Sequence, residues 1–161
     1  MDTTLIVSLG NLGAACAVTF AAMGSAFGTG AGGMAAVGAW KKCYAQNRAA
    51  PFMVIAFVGA PLTQTIYGLI LMNRISTIAT GLAESNSLNF ASLLGAGLFG
   101  GIAMGLSAMM QGRAAAGASD ALAETGKGFG NYLIVLGIIE TVALFVMVFV
   151  GFVGNVLTGG A

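Results

Sequence analysis

The chain has 161 residues, of which 58% are hydrophobic and only 7% charged, with a formal net charge of +1 and a mean hydropathy of +0.94. A water-soluble domain carries about 25% charged residues, so this composition excludes an ordinary soluble enzyme or binding module. The near-zero charge gives no reason to expect a nucleic-acid partner.

Four stretches exceed the roughly 20 apolar residues that a membrane helix needs. In chain order they are Thr3–Trp40, Ala49–Asn73, Ser85–Gly112 and Gly128–Ala161; the first three hold no charge and the fourth holds only Glu140. The expectation is an all-α membrane protein of four transmembrane helices in two tandem hairpins. The first hairpin is placed at 1–80, with helices over about 4–38 and 51–74. The second is placed at 81–161, with helices over about 88–122 and 129–157. No cleavable signal peptide is expected, because no basic segment precedes an apolar run far longer than a signal core.

Basic residues set the expected orientation. Lys41, Lys42 and Arg48 lie in the first connection, and Arg113 and Lys127 flank the third; Arg74, balanced by Glu84, is assigned to the second. The positive-inside rule then puts the 1–2 and 3–4 connections in the cytoplasm and both termini outside. Cys16 falls inside helix 1 and Cys43 in a reducing cytoplasmic loop, so no disulfide framework is expected.

The two halves are related. An offset of 84 brings Gly13, Ala17, Ala21 and Gly28 of the first helix onto Gly97, Gly101, Gly105 and Gly112 of the third. Small residues recurring every three or four positions let helix backbones approach closely in lipid. "GTGAGG" (28–33) follows no strand, so it is not a nucleotide-binding loop. Helices 2 and 4 match at an offset of 76, which sets Gln64 on Glu140 and leaves one carboxylate per four helices.

That carboxylate asks for an explanation, because an ionised acid at the centre of a membrane helix costs about 2.5–3.5 kcal/mol on insertion scales. Gln111 and Glu140 are equidistant from the turn "ETGKG" (124–128), which predicts the same membrane depth on adjacent helices. In "GAPLTQTIYG" (59–68), Ala60, Thr63, Gln64 and Tyr67 share one helical face. Pro61 has no N–H and should free a backbone carbonyl while kinking the helix. Together with Gln111 and Glu140 this face makes an all-oxygen cluster with one negative charge, suited to a hard monovalent cation. The chain has no histidine, which argues against a zinc, copper or iron centre. A single carboxylate gives hydrolytic chemistry nothing to work with. Arg113, two positions beyond Gln111, should point away from it, with its side chain snorkelling out of the apolar layer; the alternative is a role in tuning Glu140.

These residues carry a resemblance. The glycine-rich first helix, "PLTQTIY" (61–67), "QGRAAAG" (111–117) and "IET" (139–141) resemble, over the whole chain, the double-hairpin membrane rotor proteolipid (the K or c component) of V-type (V/A-type) rotary ATPases. The resemblance implies a homo-oligomeric ring of identical subunits, each carrying one ion past a membrane stator subunit as the ring turns. ATP chemistry would reside in soluble partners, with no ATP site and no organic cofactor in this chain. Similarity to the sodium-carrying bacterial members implies Na⁺, with H⁺ as the alternative, in a bacterial plasma membrane. It implies ligands from Glu140, Gln111, Gln64, Thr63 and the Ala60 carbonyl, with Tyr67 hydrogen-bonding the glutamate. The cytoplasmic segments 41–50 and 118–128 would meet central-stalk subunits. Competing readings are an independent small cation transporter or channel and a structural tetraspan assembly protein; the latter leaves the cost of Glu140 unexplained.

Overall fold

The structure, a computed structural model, describes residues 3–84 and 90–157. Every regular element in it is helical: α1 (Thr3–Ala45), α2 (Val54–Gly59), a 3₁₀ turn (Ala60–Leu62), α3 (Thr63–Glu84), α4 (Phe90–Thr125) and α5 (Phe129–Leu157). Four spans are long and apolar enough to cross a membrane: Thr3–Ala45, Val54–Leu82, Ala91–Thr125 and Phe129–Phe152. The chain is a multi-pass membrane protein. The second span is α2, the 3₁₀ turn and α3 read as one. The expected start of the third span, at 88, lies outside the described residues.

The pair α1–α4 forms the centre of the bundle, and its packing follows from the glycine stripes. A Cβ on Gly97 would overlap the Gly13 backbone, and one on Gly112 would overlap Gly28. A Cβ on Gly101 would lie 2.6 Å from the Cys16 carbonyl oxygen and 3.0 Å from the Ala17 Cα. Residues 84 apart therefore face each other, as the repeat aligned them. A constant offset from Gly13 to Gly28 requires the two helices to run parallel and in register. Opposed glycines let the backbones touch, so many weak dispersion contacts accumulate where lipid removes the hydrophobic drive between helices.

The second span packs antiparallel on α1 by the same device. A Cβ on Gly68 would come within 2.7 Å of Ala21 Cβ, and one on Gly28 within 2.9 Å of Pro61 Cβ. The closely packed core above the site comprises Ile6, Ala14, Ala17, Ala21, Leu71, Ile75, Ala79, Leu93 and Met104. By contrast α5 lies on the outside, with Ile134, Ile138, Val142, Phe145, Phe149 and Phe152 exposed.

Both helix pairs reach past the membrane at one end. The 43 residues of α1 span about 65 Å, twice a hydrocarbon core of about 30 Å. Lys42 of α1 ion-pairs with Glu124 of α4 there, and Arg48 Nη1 donates to the Glu124 carbonyl at 3.2 Å. Trp40 Nε1 donates to the Pro51 carbonyl at 3.0 Å and pins the intervening turn. Asn47 and Gly126, both with positive φ (52° and 66°), end α1 and α4 in the left-handed conformation that Asn and Gly tolerate best. The 1–2 and 3–4 connections thus lie at the same end of the bundle.

Three expectations change. Arg74 lies within α3, ten residues before its end, and not in the second connection. Cys43 belongs to α1 and is buried, with its thiol 3.7 Å from the Ala123 carbonyl. The segments 41–50 and 118–128 are largely helical extensions, because α1 continues to Ala45 and α4 to Thr125.

Candidate functional site

Glu140 stands at the midpoint of the apolar span Phe129–Phe152, at the level of a bilayer's centre. Its Oε1 accepts from the Tyr67 hydroxyl at 2.7 Å. Its Oε2 accepts from Gln111 Nε2 at 3.3 Å. The structure therefore brings Gln111 and Glu140 together across 29 residues, at the common depth the hairpin geometry predicts.

Gln111 is the hub. The same Nε2 donates to the Leu136 carbonyl at 3.0 Å, one turn before Glu140 on α5. Its Oε1 accepts from Gln64 Nε2 at 2.8 Å. Gln64 and Gln111 are both fully buried, which requires their amides to be satisfied internally. The backbone placement comes from glycine packing: Gly112 seats α4 on Gly28, which in turn abuts Pro61. The second and third spans are thereby fixed against α1 at one level, and the Gln111–Leu136 bond ties α5 to them.

Pro61 does break its helix, and it does so as a 3₁₀ turn over Ala60–Leu62. The Ala60 carbonyl accepts from the backbone N–H of Thr63. The Thr63 hydroxyl lies 3.0 Å from that carbonyl and 3.2 Å from Gln64 Oε1. One hydroxyl proton cannot serve both acceptors at once. Ala60 O, Thr63 Oγ1 and Gln64 Oε1 thus form a run of oxygens with fewer protons than lone pairs. Such spacings suit oxygens sharing one cation with metal–oxygen bonds of about 2.3–2.6 Å, the range for an ion of Ca²⁺-like radius.

Ala60, Thr63, Gln64, Tyr67, Gln111 and Glu140 consequently form one connected network over three spans. Pro61 is buried directly behind it. Arg113 does not join: it is exposed, with Nη1 3.7 Å from Met110 Sδ, while Gln111 points inward. Among the described residues no three His, Cys, Asp or Glu side chains cluster as a metal site would need.

Two contributors escaped the sequence reading. Ser107, one turn before Gln111 on α4, donates its hydroxyl to the Ile139 carbonyl at 2.9 Å and ties α4 to α5 beside Glu140. The Leu136 carbonyl orients the Gln111 amide. Ser107 is legible in retrospect from its i−4 spacing to Gln111; a backbone acceptor leaves no mark in sequence.

Residues 94–152 match the family model for the C subunit of ATP synthase. The matched segment covers most of α4 and α5 and includes both Gln111 and Glu140. No curated protein matches the chain.

Proposed function

We propose that this chain is an ion-carrying rotor subunit of a V-type rotary ATPase, and that each copy moves one Na⁺ through the membrane sector on Glu140. The observation that carries the proposal is the mid-membrane carboxylate held by Tyr67 and Gln111 beside a run of proton-poor oxygens. The match of α4 and α5 to the ATP synthase rotor family supports it.

Ligand number favours Na⁺ over H⁺. A carboxyl away from water holds a proton without further ligands. A sodium ion must exchange its water shell for fixed oxygens, and Ala60, Thr63, Gln64 and Gln111 offer them at the level of Glu140. Turning the Gln111 amide presents its oxygen in place of its nitrogen and aligns it with the carboxylate as a ligand. Tyr67 keeps its hydrogen bond to the glutamate and holds the charged group in place.

Identical copies form the ring, and like neighbours cover the faces that one copy leaves open along α1, α4 and α5. A stator subunit in the membrane supplies the aqueous routes to and from Glu140. The chain itself is a carrier and not a catalyst: ATP is hydrolysed or made in soluble subunits that meet the ring at the Lys42–Glu124 end. That end faces the cytoplasm by the positive-inside rule, and the resemblance to sodium-carrying bacterial members supports a bacterial plasma membrane.

The deciding experiment is carbodiimide labelling of the purified assembly. These reagents attack protonated carboxyls, so a cation bound at Glu140 should block them. Millimolar Na⁺ should slow labelling, and increasingly so as pH rises and protons compete less. Labelling indifferent to Na⁺ across the accessible pH range would leave H⁺ as the carried ion.

A further inference from the structure

We infer that Arg74 and Asn73 form a binding site for the phosphodiester of an anionic membrane lipid, in the leaflet opposite the Lys42–Glu124 clasp. Depth comes first. Arg74 is ten residues beyond Gln64 on α3, about 15 Å along the helix axis. With Glu140 and Gln64 at mid-membrane, that distance is half of a hydrocarbon core of about 30 Å. The guanidinium therefore stands at the level of lipid headgroups.

The side chain is also seated. A Cβ on Gly151 of α5 would lie 2.5 Å from Arg74 Nη1 and 3.2 Å from its Cδ. The absence of a side chain at Gly151 thus leaves a notch in which the arginine lies against α5. Yet among the described residues Arg74 has neither an ion pair nor a hydrogen bond. Glu84, the next acidic residue along the chain, is another ten residues farther along α3, about 15 Å along its axis. A positioned, unpaired guanidinium at the membrane interface needs an anion.

The surroundings specify its chemistry. An open groove of about 360 Å³ is lined by Asn73, Arg74, Thr77 and Ile78. The Thr77 hydroxyl donates to the Asn73 carbonyl at 3.0 Å, which leaves the Asn73 amide and the guanidinium as the free donors. Guanidinium N–H groups match phosphate oxygens in pairs. On the membrane side, Ile70 and Ile66 precede Arg74 by one and two turns on the same helix face, and both are exposed. An acyl chain along Ile70 and Ile66 places its headgroup phosphate at Arg74. Free phosphate would have no use for that apolar track. The inference is independent of the rotor reading and needs only that the chain spans the membrane.

The test uses the full-length protein in vesicles of phosphatidylcholine with a minority of phosphatidylglycerol. Spin-labelled versions of each lipid report the motionally restricted fraction at the protein surface. Phosphatidylglycerol should be preferred over phosphatidylcholine by about fivefold, the effect of one basic residue at an anionic interface. Arg74→Gln should abolish the preference, and Arg74→Lys should keep part of it. Gly151→Ala, which fills the notch without changing charge, should weaken it. No preference in the wild type, a preference unchanged by Arg74→Gln, or one competed away by millimolar inorganic phosphate would each overturn the assignment.

Discussion

Gln64 and Gln111, 47 residues apart and on different spans, share a buried amide hydrogen bond of 2.8 Å directly beside Glu140, the only carboxylate in the membrane interior among the described residues. Each amide carries both an oxygen and donor N–H groups, so the pair can satisfy itself or turn an oxygen toward a cation. Gln111→Ala should separate these roles. The clasp is worth about 0.6 kcal/mol on the average for interhelical bonds in membranes, so the protein should still assemble. Protecting Glu140 against carbodiimide should then require at least tenfold more Na⁺. A variant protected at the same Na⁺ concentration as the wild type would reduce Gln111 to a structural clasp.

Glu140→Gln tests the carrier itself. The neutral amide keeps the shape and can still accept from Tyr67, so packing around Leu136 and Ala143, both buried on α5, should be retained. Carbodiimide labelling and ion transport should both disappear in an assembly of unchanged mass. Residual transport in Glu140→Gln would move the ion path elsewhere.

Much of this arrangement is written in the sequence because membrane helices have few ways to satisfy polar groups. The depth of Gln111 follows from counting residues to the turn. The partner face of the glycine stripe follows from the repeat, since residues 84 apart meet across a parallel pair. Sequence fails where hydropathy and helix length diverge. Arg74 ends an uncharged run, so it reads as a membrane boundary, yet α3 continues ten residues beyond it to Glu84. Cys43 sits among Lys42, Tyr44 and Arg48 and reads as loop, while its own position faces inward against Ala123. A charge pattern marks where a helix leaves lipid and says little about where it stops.

The burial of Cys43 has a consequence for mapping the membrane-external end. With 1% exposure, its thiol should react with maleimides at least tenfold more slowly than the cysteine of a Tyr44→Cys variant, whose native side chain is 67% exposed. In the intact complex Tyr44→Cys should crosslink to a soluble stalk subunit. Equal reactivity at the two positions would mean that α1 unwinds before Cys43.

Helix contact at the bundle centre is open to a direct test. A Cβ on Gly112 would overlap the Gly28 backbone, whereas one on Gly117, just over a turn later on α4, meets nothing within 4 Å. Gly112→Ala should therefore destabilise the bundle by about 1–3 kcal/mol, the usual cost of overpacking, and Gly117→Ala should not. Thermal or denaturant unfolding in mild detergent reads the difference. Equal stability of the two variants would show that α1 and α4 can part without loss.

Tyr67→Phe isolates the lock on the carboxylate. The phenol donates to Glu140 Oε1 at 2.7 Å, and hydrogen bonds to a charged group are worth about 1.5–3 kcal/mol. Removing the hydroxyl leaves the ring to fill the same space beside Leu71 and Met104, which belong to the same core cluster, so the fold should persist. Glu140 Oε1 then loses its side-chain donor, and the carboxylate becomes freer to rotate away from the Thr63–Gln64 oxygens. The bound ion should be held at least tenfold less tightly, read as the Na⁺ concentration that halves carbodiimide labelling. Because a looser carboxylate also releases its ion faster, turnover measured at saturating Na⁺ should fall less than affinity does. An unchanged half-protecting Na⁺ concentration in Tyr67→Phe would remove Tyr67 from the site and leave Gln111 alone to position the acid.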